Sequence, residues 1–311
     1  MLLIVTPNPA LDRTMLFRGL RLGAVQRTDE VLVAAGGKGL NVARAALALG
    51  QPALVCAPLG GLAGDQVALL AAREGIAGRW TRHGAGETRT CILLVDPEAD
   101  DATALNEAGP SLAEADWAAF SADVLAAAPG AALCLVSGSL PRGVEPARLG
   151  ELVAAVGALG VRVLVDTSGP ALEAALAARP WGLKVNGAEL GAALGRPVED
   201  SAGAAAALGE LHARGLALAA VSLGALGAVA SDGAGRWWAR PPRERVVSSV
   251  GSGDSLLAGL ATGLVRGMAL PEALRLGVAC GTADALTVGG GRIEAATLER
   301  LLGATQVLPV G

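Results

Sequence analysis

Short apolar runs alternate with alanine-rich stretches along most of this chain, and that alternation limits the fold more than any other feature. Apolar runs at residues 2–6, 53–57, 132–136, 162–166, 182–185 and 218–222 predict strands. Helical stretches at 40–49, 66–74, 113–127, 146–159 and 202–214 lie between them. Such βα units build an α/β domain around a mostly parallel sheet. In open sheets of this kind, ligands gather at the carboxyl ends of the strands. Most of the distinctive motifs below follow a strand directly, so they are expected to converge there.

Two regions, 13–33 and 88–105, break the rhythm and read as strands with polar alternation. They predict a small sheet outside the main layer, either a lid over the site or an ordinary pair of edge hairpins. The last third is helical, at 254–265, 271–286 and near 296–301. No repeat, linker or shift of composition divides the chain, so residues 1–311 are expected to form a single domain.

Hydrophobic content of 52% and a mean hydropathy of +0.49 raise the question of a membrane. The longest weakly polar stretch, 216–230, is interrupted by Ser222, Gly224 and Gly227, and it falls short of the ~20 residues a spanning helix needs. No membrane partner is expected. The opening MLLIVTPNP lacks a basic region and reaches proline early, which argues against a secretory signal and for the cytoplasm. Cys56, Cys91, Cys134 and Cys280 are too scattered for a metal knuckle or a disulfide framework. A net charge of −4 without a basic block makes nucleic acid an unsuitable partner.

Only two lysines, Lys38 and Lys184, stand against 23 arginines, and only four asparagines occur: Asn8, Asn41, Asn106 and Asn186. A chain that uses Arg so freely keeps Lys where a compact ammonium is hard to replace. The sharpest motif is Ser248-Ser249-Val250-Gly251-Ser252-Gly253-Asp254, which runs into an apolar helix. Glycines let backbone approach an anion, and a helix start offers free N–H groups. Asp254 is then either a general base taking a proton from a hydroxyl or a helix cap. The loop Gly36-Gly37-Lys38-Gly39-Leu40-Asn41 also enters a helix, without the spacing of a Walker loop or a dinucleotide fingerprint. Ser137-Gly138-Ser139 follows one strand and Lys184-Val185-Asn186 another. Asn186 and Glu189 would share a helix face, suited to a metal's water shell or to a capping box.

Taken in order, TPNPALD, Arg27 to Glu30, GGKGLNVAR, ETRTCI, ALNEAGP, SGSLPRG and SSVGSGD resemble the ribokinase-like carbohydrate kinases of the phosphofructokinase B type. The resemblance runs from about residue 6 to 283 and points to the branch containing 1-phosphofructokinase and tagatose-6-phosphate kinase. It implies a Rossmann-like three-layer α/β/α core with a small β lid, and ATP with Mg2+ as phosphoryl donor. A monovalent cation is left open, and a homodimer through the lid is expected. Asp254 would be the base, with Gly251, Ser252 and Gly253 as the anion hole. Asp12, Gly36, Gly37, Asn41, Ser137 and Gly138 would meet the sugar, and Lys38 and Arg89 its phosphate. Lys184, Asn186, Ser222, Gly224, Gly227, Ser249, Gly251 and Gly253 would line the nucleotide site. Asn186 and Glu189 would organise Mg2+ through water.

The implied reaction is phosphorylation of a ketohexose phosphate, foremost fructose 1-phosphate to fructose 1,6-bisphosphate. Tagatose 6-phosphate, fructose 6-phosphate, an unphosphorylated sugar or nucleoside, and a noncatalytic sensor are the alternatives. The chain departs from the family pattern at Val185, where proline is frequent, at Cys91, where asparagine is common, and at Leu105, where isoleucine is usual. Arg27 and Glu107 match branch motifs without an assigned role.

Overall fold

The computed structural model describes residues 1–98 and 101–310. Its elements run β1 (Leu2–Val5), β2 (Ala10–Leu16), β3 (Val31–Gly36), α1 (Lys38–Ala48), β4 (Ala53–Gly60), α2 (Gly61–Arg73), β5 (Ala77–His83), β6 (Arg89–Asp96) and β7 (Asp101–Asn106). Then come α3 (Glu114–Ala127), β8 (Leu133–Ser137), α4 (Pro146–Ala158), β9 (Val163–Asp166), α5 (Pro170–Ala177), β10 (Gly182–Asn186), α6 (Gly187–Leu194) and α7 (Ser201–Ala213). The chain closes with β11 (Leu218–Ser222), β12 (Ala228–Ser231), β13 (Arg236–Arg240), α8 (Ser252–Val265), α9 (Leu270–Ala285), α10 (Ala295–Ala304) and β14 (Gln306–Pro309).

The main sheet has the order β14-β13-β12-β11-β10-β9-β8-β1-β4-β5, parallel from β11 to β5 and antiparallel from β11 to β14. Its inner strands are mostly apolar because helices cover both faces. In β1, Leu2 and Ile4 join a core with α1, α2, α8 and α9, whereas Leu3 and Val5 join a second core with α3 to α7. All four are fully buried, and a buried aliphatic side chain contributes about 1.5–3 kcal/mol. This is the expected three-layer α/β/α core.

The smaller sheet, β3-β2-β6-β7, also exists, but its strands begin and end elsewhere than the sequence pattern suggests. Region 13–33 holds the end of β2 and the start of β3, separated by a largely exposed loop. Region 88–105 supplies β6 and β7, with residues 99 and 100 outside the described residues. The Asp12↔Cys91 register joins the two regions in parallel, so they form one continuous sheet instead of two separate hairpins.

The other differences have physical reasons. β5, AGRWTRH, is a polar edge strand with no apolar run to reveal it. β12 is hidden in the apolar stretch that β11 begins, where Gly224 and Gly227 make the turn. Helices α5 and α6 have only eight residues each, about two turns, which is too short for a clear period. Among the described residues, no helix is long and apolar enough to cross a membrane.

Helices α8 and α9 approach closely through glycines. A Cβ on Gly259 would lie 2.8 Å from the Gly277 Cα, and one on Gly281 would lie 2.7 Å from the Ser252 carbonyl oxygen. That contact fixes the start of α8 against α9 and thereby places the Gly251 loop.

Candidate active site

The carboxyl ends of the parallel strands, the start of α8 and the inner face of the smaller sheet enclose one cavity of about 1000 Å³. Gly251 opens its floor. Its φ of 95° is left-handed, and a Cβ there would come within 2.4 Å of the Gly290 Cα, so only glycine fits. It caps α8, and the first N–H groups of a helix have no acceptor within it. Gly253 therefore offers its amide at an electropositive helix end, beside the Ser252 amide, which donates to the Ser249 carbonyl at 3.3 Å.

Asp254 occupies the third position of α8, not the cap, and is 6% exposed. Asn41 Nδ2 donates to its Oδ2 at 2.9 Å. Burial first, then the nearby Asp166 carboxylate, push the Asp254 carboxyl up to about 6, against lowering by Lys38, Asn41 and Lys184. A carboxylate poised in this range can accept a hydroxyl proton near neutral pH. Arg44 fixes the orientation of Asn41, donating to Asn41 Oδ1 at 3.0 Å and to the carbonyls of Gly290 and Ala35.

The smaller sheet supplies the opposite wall. Asp12 packs so tightly on β3 that a Cβ on Gly36 would sit 2.0 Å from its Cγ. The Gly37 amide donates weakly to Asp12 Oδ2 at 3.4 Å, and burial raises the Asp12 carboxyl to about 6. Arg89 Nη2 donates to the Asn8 carbonyl at 3.1 Å and Nη1 to that of Glu107 at 3.4 Å. These bonds hold a cation beside Asp12. Glu107 also accepts from the Thr90 amide at 2.7 Å, so its carboxylate ties the segment after β7 to β6. Arg27 is exposed on the β2–β3 loop. Cys91 lines the cavity beside Arg89, its thiol pushed up to about 11 chiefly by burial.

Between these walls, Lys38 Nζ lies 3.1 Å from Asp166 Oδ1 and 3.5 Å from Glu189 Oε1, and Lys184 Nζ lies 2.8 Å from Asp166 Oδ2. Asn186 and Glu189 do form the capping box of α6: Asn186 Oδ1 accepts from the Glu189 amide at 2.7 Å and Glu189 Oε2 from the Asn186 amide at 2.9 Å. Both side chains still line the cavity. Ser222, Gly224, Gly227 and Ser249 line it too, beside Ala225, Pro241, Pro242 and Val246. Gly138 and Ser139 face the cavity, whereas Ser137 is fully buried as the last residue of a strand paired on both sides.

Asp166 was not among the residues singled out from the sequence, although a lone acid closing the strand VLVD was a visible signal. Asp284 was missed as well. It is 1% exposed, accepts from the Arg292 amide at 2.8 Å and sits behind Gly251, where burial raises its carboxyl to about 7. Its place in the last turn of α9, within an alanine-rich run, gave no sign of this.

The residue pattern of pfkB family carbohydrate kinases matches residues 7–295. The 1-phosphofructokinase of Rhodobacter capsulatus is 40% identical over 280 residues, 88% of this chain and 87% of that one. The 1-phosphofructokinase of Xanthomonas campestris pv. campestris is 42% identical over 267 residues, 84% and 83% of the two chains. Phosphofructokinase-2 from Escherichia coli, solved in complex with substrates and products, superposes with a TM-score of 0.90 at 29% identity, covering 97% of this chain and 98% of that one. The same enzyme has been solved in complex with potassium. The α/β/α core with its small sheet is the ribokinase-like fold.

Proposed function

This chain belongs to the pfkB family of carbohydrate kinases, and from that premise we propose that it phosphorylates fructose 1-phosphate with ATP to give fructose 1,6-bisphosphate. The observation that carries this reading is that one cavity joins a buried carboxylate at a helix N-terminus to a guanidinium held on the smaller sheet. That arrangement lets an acceptor present its own phosphate at one end and a hydroxyl at the other. The 1-phosphofructokinases at 40% and 42% identity support fructose 1-phosphate over other ketohexose phosphates.

In this reading Asp254 accepts the acceptor hydroxyl proton as the oxygen attacks the γ-phosphorus. Charge on the transferring group meets the amides of Gly251, Ser252 and Gly253. Asp12, Asn41 and the Gly36-Gly37 backbone hold the sugar, with Gly138 at its edge, and Arg89 fixes its phosphate. Lys184, Ser222, Gly224, Gly227 and Ser249 line the nucleotide end.

Among the described residues, no three His, Cys, Asp or Glu side chains converge as a metal cage. A lone carboxylate and carboxamide, Glu189 and Asn186, fit Mg2+ brought in on phosphates and held through water. Bound there, Mg2+ would neutralise phosphate charge. The 311 residues then act as one kinase unit in the cytoplasm, with the smaller sheet as its lid. Val31 and Leu105, 40% and 52% exposed on the lid's two edge strands, support a homodimer through the lid. A monomeric mass in light scattering at assay concentration would contradict it.

Release of ADP across fructose 1-phosphate, tagatose 6-phosphate, fructose 6-phosphate, fructose and ribose tests the substrate. Fructose 1-phosphate is expected to give the highest kcat/KM. Preference for a bare sugar, or no turnover of any acceptor, would overturn the reading.

A further inference from the structure

Both lysines of the chain end on one carboxylate. Asp166, at the carboxyl end of β9, is fully buried and is bridged by Lys38 Nζ on one oxygen and Lys184 Nζ on the other. Lys184 rises from β10, its side chain only 4% exposed, and a Cβ on Gly253 would lie 3.1 Å from its Nζ. Lys38 opens α1, directly after the smaller sheet, yet its ammonium turns to the main sheet, to Asp166 and Glu189. Its ammonium is thus paired with main-sheet carboxylates, whereas Arg89 is anchored on the carbonyls of Asn8 and Glu107. Asp254 feels the charges of all three members of the group.

We propose that Lys38 and Lys184 form a two-cation clamp on the phosphoryl group in transit, with Asp166 as the positioning residue that aims both. Lys38 thus serves the transferring phosphate and not the phosphate the acceptor already carries. The inference rests on the kinase reading above. Two ammonium groups brought to one carboxylate repel each other. The Asp166 carboxylate between them offsets that repulsion, and release of Glu189 by Lys38 leaves one net positive charge on the Lys38–Asp166–Lys184 group.

The acceptor oxygen forms a bond to the γ-phosphorus, its proton passes to Asp254, and the bond to the β,γ-bridging oxygen breaks with its electron pair left on ADP. Negative charge spreads over three equatorial oxygens during the transfer. Lys38, 38% exposed and only 3.5 Å from Glu189, can exchange that carboxylate for a phosphoryl oxygen while Asp166 keeps hold of it. An ammonium is compact enough to do so, where a guanidinium would demand a planar, two-pronged partner.

Steady-state kinetics with fructose 1-phosphate and MgATP tests this on wild type, Lys38→Met, Lys38→Arg and Asp166→Asn. Lys38→Met is expected to lower kcat by about 10²–10³-fold. Its KM for fructose 1-phosphate should stay within about threefold, and Lys38→Arg should recover part of the loss. Adding Asp166→Asn to Lys38→Met should lower kcat less than the two single losses multiplied, because the residues act as one unit. Should Asp166→Asn fail to fold, the Lys38 variants alone decide.

A KM for fructose 1-phosphate raised about tenfold or more with kcat kept would place Lys38 on the acceptor's phosphate and overturn the proposal. Unchanged kinetics would overturn it equally. Wild type that turns over no ketohexose phosphate would overturn the kinase reading and this inference together. Wild type that does so, with Lys38→Met altering only KM, would overturn this inference alone.

Discussion

Asp254, the proposed base, sits in a place that disfavours its charge. Burial, then Asp166, raise its carboxyl from 3.8 to about 6. A raised acid adds stability that is complete below pH 3.8 and lost as pH rises through about 6. Above that range the folded protein holds a buried carboxylate that the unfolded chain would solvate. Asp254→Asn removes this burden, so it should stabilise the fold at pH 7.5 by on the order of 2 kcal/mol. The gain should shrink towards pH 4, and thermal unfolding of both proteins across that range checks it. An Asn variant less stable at pH 7.5 would show that the carboxylate is structurally needed. Asp166 behaves in the opposite way: burial opposes its charge, but Lys184 and Lys38 outweigh burial and hold it below the usual range. Its contribution is present at neutral pH and lost in acid. Glycine, serine and aspartate in a row announced the Asp254 loop, whereas the reach of Lys38 to Asp166 spans 128 residues and no local spacing encodes it.

At the scale of elements, the glycines between α8 and α9 do as much as the motif itself to place the loop. Gly259→Val would force its branches into Gly277 and Leu276, and overpacking of this kind costs about 1–3 kcal/mol. It should lower the melting temperature and reduce activity with it, since the Gly251 turn moves with α8. Gly157 is the contrast, a helical glycine with nothing within 4 Å of its added Cβ. Gly157→Ala should stabilise by about 0.5–1 kcal/mol and leave turnover unchanged. Equal effects at the two positions in differential scanning calorimetry would contradict this packing account. The buried strands were legible because both their faces need apolar residues, as in Leu2 to Val5. The polar edge strand β5 and the register joining β2 to β6 were not, because edge exposure and long-range pairing leave no periodic trace.

Across the whole molecule, function depends on two sheets closing one cavity. The main sheet and α8 bring Asp254, Lys184 and Asn186, and the smaller sheet brings Asp12 and Arg89. The separate motifs were readable in the chain, and their convergence at strand ends was expected from the α/β pattern. The sharing of Asp166 by two lysines and the Arg44 strut behind Asn41 emerge only from the packed fold. If one end of the cavity binds while the other reacts, the most direct measurement is the steady-state kinetics of Arg89→Ala and Asp254→Asn with fructose 1-phosphate and MgATP. Arg89→Ala should raise KM for fructose 1-phosphate about 10- to 100-fold with kcat largely kept, and Asp254→Asn should lower kcat about 10²–10⁴-fold with KM largely kept. Full turnover in Asp254→Asn, or an unchanged KM in Arg89→Ala, would contradict the account.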